Sequence, residues 1–173
     1  MTRFIIISKI NRNLRFMLYL TTTLALCQPT FAADGHQSEG HVGHDEKHHL
    51  GFFVGVLDTG KTDSIIGIEY EYRINKIFGV GVLYENAKDA HNGDGINSRI
   101  AALYYHPYGG WRIGLGAGKE KVGGSHPFTE SLYRLGIAYA FHIGGIGIEP
   151  SINFDSVNGK SSSVYGISFV RSL

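Results

Sequence analysis

Eight segments of this chain alternate apolar side chains with small or polar ones, and this period of two constrains its fold more than any other feature. In residues 65–74, one face is apolar and the other is small or acidic, with Ile66 and Ile68 opposed to Gly67 and Glu69. A period of two is typical of β-strands, whose successive side chains point to opposite faces. We therefore predict an all-β chain with strands over residues 50–57, 65–74, 78–85, 98–107, 111–121, 132–143, 146–155 and 163–173.

The amino-acid composition of the second face of these strands distinguishes a membrane barrel from a soluble sandwich or a lipocalin-like barrel. In a soluble fold that face meets water and is crowded with Lys, Glu, Thr and Ser. Here it is rich in glycine, of which the chain has 24, and small residues suit the inside of a narrow barrel. Aromatic residues also gather near the strand ends, as in membrane-interface girdles. We predict an eight-stranded antiparallel up-and-down transmembrane β-barrel over residues 50–173.

Residues 1–32 have the features of an export signal. Four basic residues precede an apolar stretch at 16–27, and small residues stand at the two positions that a signal peptidase reads before a cut after Ala32. The stretch is too short for a membrane-spanning helix, which takes about 20 residues. Lipidation of Cys27 is disfavoured because the preceding Leu26 is large. Cleavage would leave no cysteine and 12 basic against 15 acidic residues, a balance that argues against nucleic acid as a partner.

The predicted connections alternate between short and long. The short turns are 75–76, 108–110 and 144–145, and the long polar loops are 58–64, 86–97, 122–131 and 156–162. Bacterial barrels have short periplasmic turns and longer extracellular loops. We therefore predict that both termini are periplasmic. Pro150 lacks the N–H that an interior strand needs, and we expect a local bulge there.

The export signal, the eight strands and the terminal strand over 164–173 resemble the small outer-membrane barrels of Gram-negative bacteria, the OmpA/OmpX type. Tyr165, Ile167 and Phe169 match the aromatic-rich end that the barrel-assembly machinery recognises in such chains. Residues 67–73 are also similar to small barrel proteins of marine proteobacteria. The resemblance implies a location in the outer membrane, contact with its lipid and lipopolysaccharide, and assembly by that machinery.

The predicted inner face of the barrel collects both acidic and basic side chains, namely Glu69, Glu71, Arg73, Glu85, Arg112, Glu120, Arg134 and Glu149. A carboxylate inside a barrel must be paired or protonated. Eight strands also leave an interior that side chains nearly fill. We predict an ion-pair network that fills the lumen, with a proton or ion path as the alternative interpretation.

Residues 33–49 are polar and show neither a strand nor a helix period, which predicts a flexible periplasmic tail. The tail holds five of the nine histidines, His36, His41, His44, His48 and His49. Neutral imidazoles bind Zn²⁺, Cu²⁺ or Ni²⁺, and a flexible His-rich tract can gather such ions. The spacing matches no defined site, so a polar linker with incidental histidines is an equal alternative to weak metal capture. We expect no other cofactor.

These observations favour a non-catalytic role in envelope structure or in surface interaction through the loops at 86–97 and 122–131. One alternative is a narrow solute or ion channel, and another is an enzyme that modifies lipid A. The enzyme would need a Ser/His pair at the membrane rim. The candidates are Ser125, His126 and Ser131, while His106 and His142 are expected near the periplasmic end.

Overall fold

A computed structural model describes residues 46–173 of the chain. Its strands are β1 (His48–Asp58), β2 (Thr62–Arg73), β3 (Phe78–Ala87), β4 (Ile96–Tyr105), β5 (Trp111–Val122), β6 (Phe128–Tyr139), β7 (Phe141–Ile143), β8 (Ile146–Val157) and β9 (Lys160–Ser172). The predicted signal peptide and residues 33–45 of the predicted tail lie outside the described residues. Within the described part, no helix has the length and apolar character needed to cross a bilayer.

The strands form one closed antiparallel sheet. Each of β1 to β5 pairs with the next strand along the chain, β8 pairs with both β6 and β9, and β9 pairs with β1. The short β7 pairs with β8 and continues the line of β6. Together β6 and β7 occupy one strand position, so the barrel wall has eight strand positions. Among the described strands, closure leaves only the three-residue β7 with an unpaired edge. The predicted eight-stranded up-and-down barrel is confirmed.

The apolar face of the sheet is the outside of the barrel. The adjacent residues Phe52 and Phe53 show the alternation, because Phe52 is 49% exposed while Phe53 is only 5% exposed. The same alternation recurs on other strands, where large aliphatic and aromatic side chains are exposed and glycine, serine and charged side chains are buried. On β4, the exposed side chains include Ala101, Leu103 and Tyr105, while Tyr104 between them is buried. An exposed apolar belt of this kind fits hydrocarbon rather than water.

The predicted strand at 132–143 is divided into β6 and β7 around Ala140. Pro150 of β8 lies opposite this break, since Ala138 pairs with Ser151 and Phe141 pairs with Ile148. Proline has no N–H to give to the neighbouring strand, so the ladder is interrupted. The register is the same on both sides of the break, and therefore no extra residue is inserted. The prediction of a bulge was wrong. The barrel accommodates Pro150 through a gap in the ladder between β6 and β7.

The predicted alternation of short and long connections is also wrong. The four connections at one end are 59–61, 88–95, 123–127 and 158–159, and the three at the other end are 74–77, 106–110 and 144–145. Strands β8 and β9 extend to a two-residue turn where a loop over 156–162 was predicted. Asn158 and Gly159 both have positive φ, at 49° and 75°, as a tight hairpin turn of type I′ requires.

Candidate functional site

The lumen of the barrel is the candidate site, because it contains the buried charged side chains of the described residues. Glycines beside these side chains give them room. A Cβ added to Gly51 would lie 2.6 Å from Cγ of Glu69, and a Cβ added to Gly166 would meet the ring of Phe53. The glycine-rich inner face is therefore what allows long charged and aromatic side chains to share a narrow interior.

Arg112 of β5 is the centre of the first cluster of charges. Its Nη2 lies 3.1 Å from Oε1 of Glu69 and 3.0 Å from Oε2 of Glu149, and its Nη1 lies 3.5 Å from Oε2 of Glu71. The guanidinium carbon lies 4.8 Å from the centre of the Tyr104 ring. Glu69 and Glu71 belong to β2, which β3 and β4 separate from β5. The Arg112 side chain therefore links β5 to β2 across the lumen.

Glu71 joins two further basic groups to the first cluster. Its Oε1 lies 2.8 Å from Nε of Arg73 and 2.7 Å from Nε2 of His106. The side chain of His106 points into the lumen and contacts this carboxylate, a contact that the sequence did not suggest. Three carboxylates, two guanidinium groups and one imidazole thus meet at the end of the lumen where β2 ends and β5 begins.

Arg134 of β6 is the centre of the second cluster. It donates two hydrogen bonds to Glu85, at 2.5 and 2.8 Å, and two to Asp155, at 2.6 and 2.7 Å. Such bidentate pairs are the strongest geometry that a guanidinium group can form with carboxylates. Glu85 lies on β3, which β4 and β5 separate from β6 in the wall, so this cluster also crosses the lumen. Asp155 was missing from the predicted set, although its inward position on β8 was a sequence signal for it.

Glu120 is the predicted network member that the structure leaves apart. It lies near the end of β5, where its cross-strand neighbours are Ser98 and Glu130. Its carboxylate makes no ion pair with any residue in the range 46–173. A position near the strand end allows contact with water, so a carboxylate there does not need a buried partner.

The lumen also contains free space. A cavity of about 40 Å³ touches both clusters and is lined in part by Glu69, Glu85, Tyr104, Arg112 and Arg134. Since a water molecule needs roughly 10–15 Å³ by this measure, the space holds about three waters. The buried Tyr104 hydroxyl has no hydrogen-bond partner among the protein groups of the described chain, and such a water would satisfy it.

Two of the five predicted metal-binding histidines lie within the described residues. His48 and His49 belong to β1 rather than to the tail, because the strand begins two residues earlier than predicted. The ring of His48 lies 2.7 Å from the Tyr70 hydroxyl, and the ring of His49 lies 3.1 Å from the Ser172 hydroxyl. His36, His41 and His44 lie outside the described residues. Residues 46–173 contain no group of three or more His, Cys, Asp or Glu side chains placed to hold a metal ion.

Within the described residues, the serine and histidine candidates for an enzyme make no hydrogen bond with each other. Ser125 and His126 are exposed neighbours in the connection between β5 and β6, and Ser131 accepts a hydrogen bond from Lys119. The hydrogen bond between His49 and Ser172 was not foreseen. It joins β1 to β9 at the end of the barrel where β1 begins and β9 ends. His49 also contacts the backbone carbonyl of Glu46, so a carboxylate does not complete a triad.

Comparisons with known proteins bear on the fold. No protein-family model matches the chain, and no curated protein matches it in sequence. Among solved structures, Neisserial surface protein A has a TM-score of 0.54 at 13% identity, covering 73% of this chain and 96% of that one.

Two further structures have lower scores. The N-terminal barrel domain of OprF from Pseudomonas aeruginosa has a TM-score of 0.49 at 14% identity, over 71% of this chain and 94% of that one. The attachment invasion locus protein Ail of Yersinia pestis, in complex with the heparin analogue sucrose octasulfate, has a TM-score of 0.43 at 14% identity, over 71% and 96%. With the closed eight-stranded sheet and its exposed apolar belt, the likeness to the Neisserial protein shows that this chain has the fold of the small outer-membrane β-barrels.

Proposed function

We propose that this protein is an integral barrel of a Gram-negative outer membrane, that its lumen is closed to solutes, and that it acts through its outer surface. Both termini face the periplasm, and the connections at 59–61, 88–95, 123–127 and 158–159 face outward. The role is structural or one of surface interaction rather than catalysis or transport. Outer-membrane lipid, lipopolysaccharide and the barrel-assembly machinery are its expected partners.

The observation that supports a closed lumen best is the pair of guanidinium groups that cross it. Arg112 and Arg134 each join strands that are not neighbours in the wall. A hydrated ion needs a continuous path of water, whereas the space beside these groups holds about three water molecules. Moving either guanidinium group aside would leave buried carboxylates without an ion-pair partner. An unpaired buried charge of this kind costs several kcal/mol of free energy. Thermal fluctuations therefore open such a lumen rarely.

Two of the proposed outward connections support a role in surface interaction. The ring of His91, in the connection between β3 and β4, lies 5.8 Å from the ring of Phe128 at the start of β6. The Gly123 N–H also donates to the carbonyl of Gly95. These contacts hold the segments 88–95 and 123–127 together as one surface. A surface formed in this way presents a fixed shape to a partner, at less entropic cost than separate flexible loops.

Conductance across a planar bilayer tests the closed lumen. We expect the reconstituted wild-type chain to give no steady ion current. The charge-neutral variant Arg112→Ala/Glu69→Ala enlarges the space between the clusters, and we expect it to conduct. The variant Glu46→Ala/Lys47→Ala removes one charge of each sign from exposed residues before β1, so it should stay silent. A wild-type current equal to that of the enlarged variant would contradict the proposal.

A structural role in the envelope is tested in cells. We expect a strain that lacks the gene to become more sensitive to detergent and to large antibiotics that an intact outer membrane excludes. Both the wild-type chain and a variant with a shortened 88–95 connection should restore resistance if the role is structural. Restoration by the wild-type chain alone would favour surface interaction, and an unchanged strain would contradict the structural role.

We also propose that the histidine-rich residues before β1 capture Zn²⁺, Cu²⁺ or Ni²⁺ weakly. The support is the sequence, where His36, His41 and His44 stand among acidic residues. Calorimetric titration of the detergent-solubilised chain with Zn²⁺ tests this, with the variant His36→Gln/His41→Gln/His44→Gln as control. Heat that the variant does not give would support metal capture. Equal heats, or none, would contradict it.

A further inference from the structure

Two cations face each other on the outer wall of the barrel. Arg99 of β4 pairs directly with Lys119 of β5, and both side chains are exposed. Lys121 follows two residues later on the same face and is also exposed. Like charges directly opposite each other on neighbouring strands destabilise a sheet. None of the three forms an ion pair with a carboxylate of residues 46–173.

Neutral groups hold Arg99 and Lys119 in place without cancelling their charge. The guanidinium carbon of Arg99 lies 6.0 Å from the centre of the Tyr84 ring. Lys119 donates a hydrogen bond to the Ser131 hydroxyl at 3.0 Å. Asn97 accepts hydrogen bonds from Tyr84 and Asn86. The patch is therefore ordered and positively charged, which is the condition for binding an anion.

The patch lies at the upper edge of the apolar belt. Lys119 is eight residues along β5 from Trp111, which corresponds to about 26 Å along the strand and about 20 Å along the normal to the membrane for a tilt near 40°. That height is close to the roughly 25 Å of an outer-membrane apolar band. Directly below the two cations, Ala101 and Ala117 face each other across the same two strands.

The alanine pair makes a shallow depression under the charges. The next outward pair below it is Leu103 and Leu115, and Tyr133 of β6 lies opposite Ala117 on the other side. These neighbours are large and exposed, so the two alanine methyl groups form the floor between them. A linear hydrocarbon chain fits such a floor, and its headgroup would then lie level with the cations.

We propose that Arg99, Lys119 and Lys121 bind the phosphate of one phosphorylated lipid of the outer leaflet, whose acyl chain lies over Ala101 and Ala117. The phosphate relieves the repulsion between Arg99 and Lys119 and accepts hydrogen bonds from both. The site rests on the proposed orientation, in which this end of the barrel faces outward. At this site the barrel binds one phosphorylated lipid in preference to others, whereas a wall without such a site contacts all surrounding lipids alike.

Thermal unfolding of the full chain in neutral detergent tests the site. The probes are diphosphoryl lipid A, the same lipid without phosphates, phosphatidylglycerol and inorganic phosphate. The test variant is Arg99→Gln/Lys119→Gln. The control variant Lys61→Gln/Lys160→Gln removes the same charge from exposed residues at the same end of the barrel.

We expect diphosphoryl lipid A to raise the melting temperature of the wild-type chain and of the control variant. The test variant should bind this lipid about 10- to 30-fold more weakly, since each cation near a phosphate surface contributes a factor of about five. The dephosphorylated lipid and inorganic phosphate should each give little shift, because one lacks the anion and the other lacks the acyl chain.

The single variant Lys119→Glu separates the site from general effects on folding. Without lipid it should unfold at a higher temperature than the wild-type chain, because it replaces repulsion by attraction across β4 and β5. With diphosphoryl lipid A it should gain almost nothing. Equal lipid responses in test and control variants, an equal response to inorganic phosphate, or stronger binding of phosphatidylglycerol would each overturn the site. None of these results depends on whether the lumen conducts.

Discussion

The variant Arg134→Met tests how far the buried ion clusters stabilise the barrel. Arg134 makes four hydrogen bonds to Glu85 and Asp155, which are 3% and 4% exposed. Methionine keeps most of the side-chain volume but none of the charge. Two carboxylates are then left buried without their guanidinium partner, and we expect a loss of about 3–5 kcal/mol in the free energy of unfolding.

Urea unfolding in detergent or lipid vesicles, followed by the fluorescence of Trp111, measures this loss. Arg171→Met is the matched control, because Arg171 is exposed on β9, and its cost should stay within about 0.5 kcal/mol. The triple variant Arg134→Met/Glu85→Gln/Asp155→Asn removes the stranded charges and should recover part of the stability. Equal costs for Arg134→Met and Arg171→Met would refute the reasoning, as would a triple variant less stable than Arg134→Met.

Three further predictions follow from particular contacts. Gly51→Ala should cost more stability than Gly147→Ala, since the new Cβ at 51 lies 2.6 Å from Glu69 Cγ whereas the one at 147 meets its nearest atom at 3.5 Å; equal costs in urea unfolding would contradict this. Gly159→Ala should cost about 1 kcal/mol because φ is 75° there, and an unchanged melting temperature would argue against the type I′ turn. Pro150→Ala restores an N–H opposite the break between β6 and β7, so amide hydrogen exchange around Ala140 should slow; faster exchange would contradict this explanation of the gap.

The barrel could be predicted from the sequence because each strand repeats the same physical pattern. One face must meet hydrocarbon and the other must fit a narrow interior, and a period of two records both demands. The direction of each strand's side chains follows from a single outward residue, as Phe52 and Phe53 show. The composition of the inner face then identifies the charged residues that must find partners.

The lengths of the connections between strands could not be predicted from the sequence as reliably as the strands themselves. Residues 156–162 are mostly polar and predict a loop, although Asn158 and Gly159 are the sequence signature of a type I′ hairpin. A polar strand that extends beyond the membrane has no apolar face to reveal it. The same reason hides the start of β1, where His48 and His49 carry no hydrophobic signal.

The partners within the lumen also lay beyond the sequence. The alternation of side chains along each strand assigns Glu71, Arg112 and Arg134 to the inside of the barrel. Which of them meet across the lumen depends on the stagger between strands that are not neighbours. For that reason Asp155 was missed and Glu120 was included. The pairing of Arg99 with Lys119 depends likewise on register, which the sequence between β4 and β5 does not determine.

Quenching by lipids that carry bromine on their acyl chains tests the central claim most directly, namely that hydrocarbon surrounds the apolar face. Leu103 and Tyr104 are neighbours on β4, the first exposed and the second buried in the lumen. With Trp111 replaced by Phe, the variants Leu103→Trp and Tyr104→Trp each report one side of the wall. We predict strong quenching at position 103 and little at position 104. Equal quenching at both positions, or stronger quenching at 104, would contradict the account.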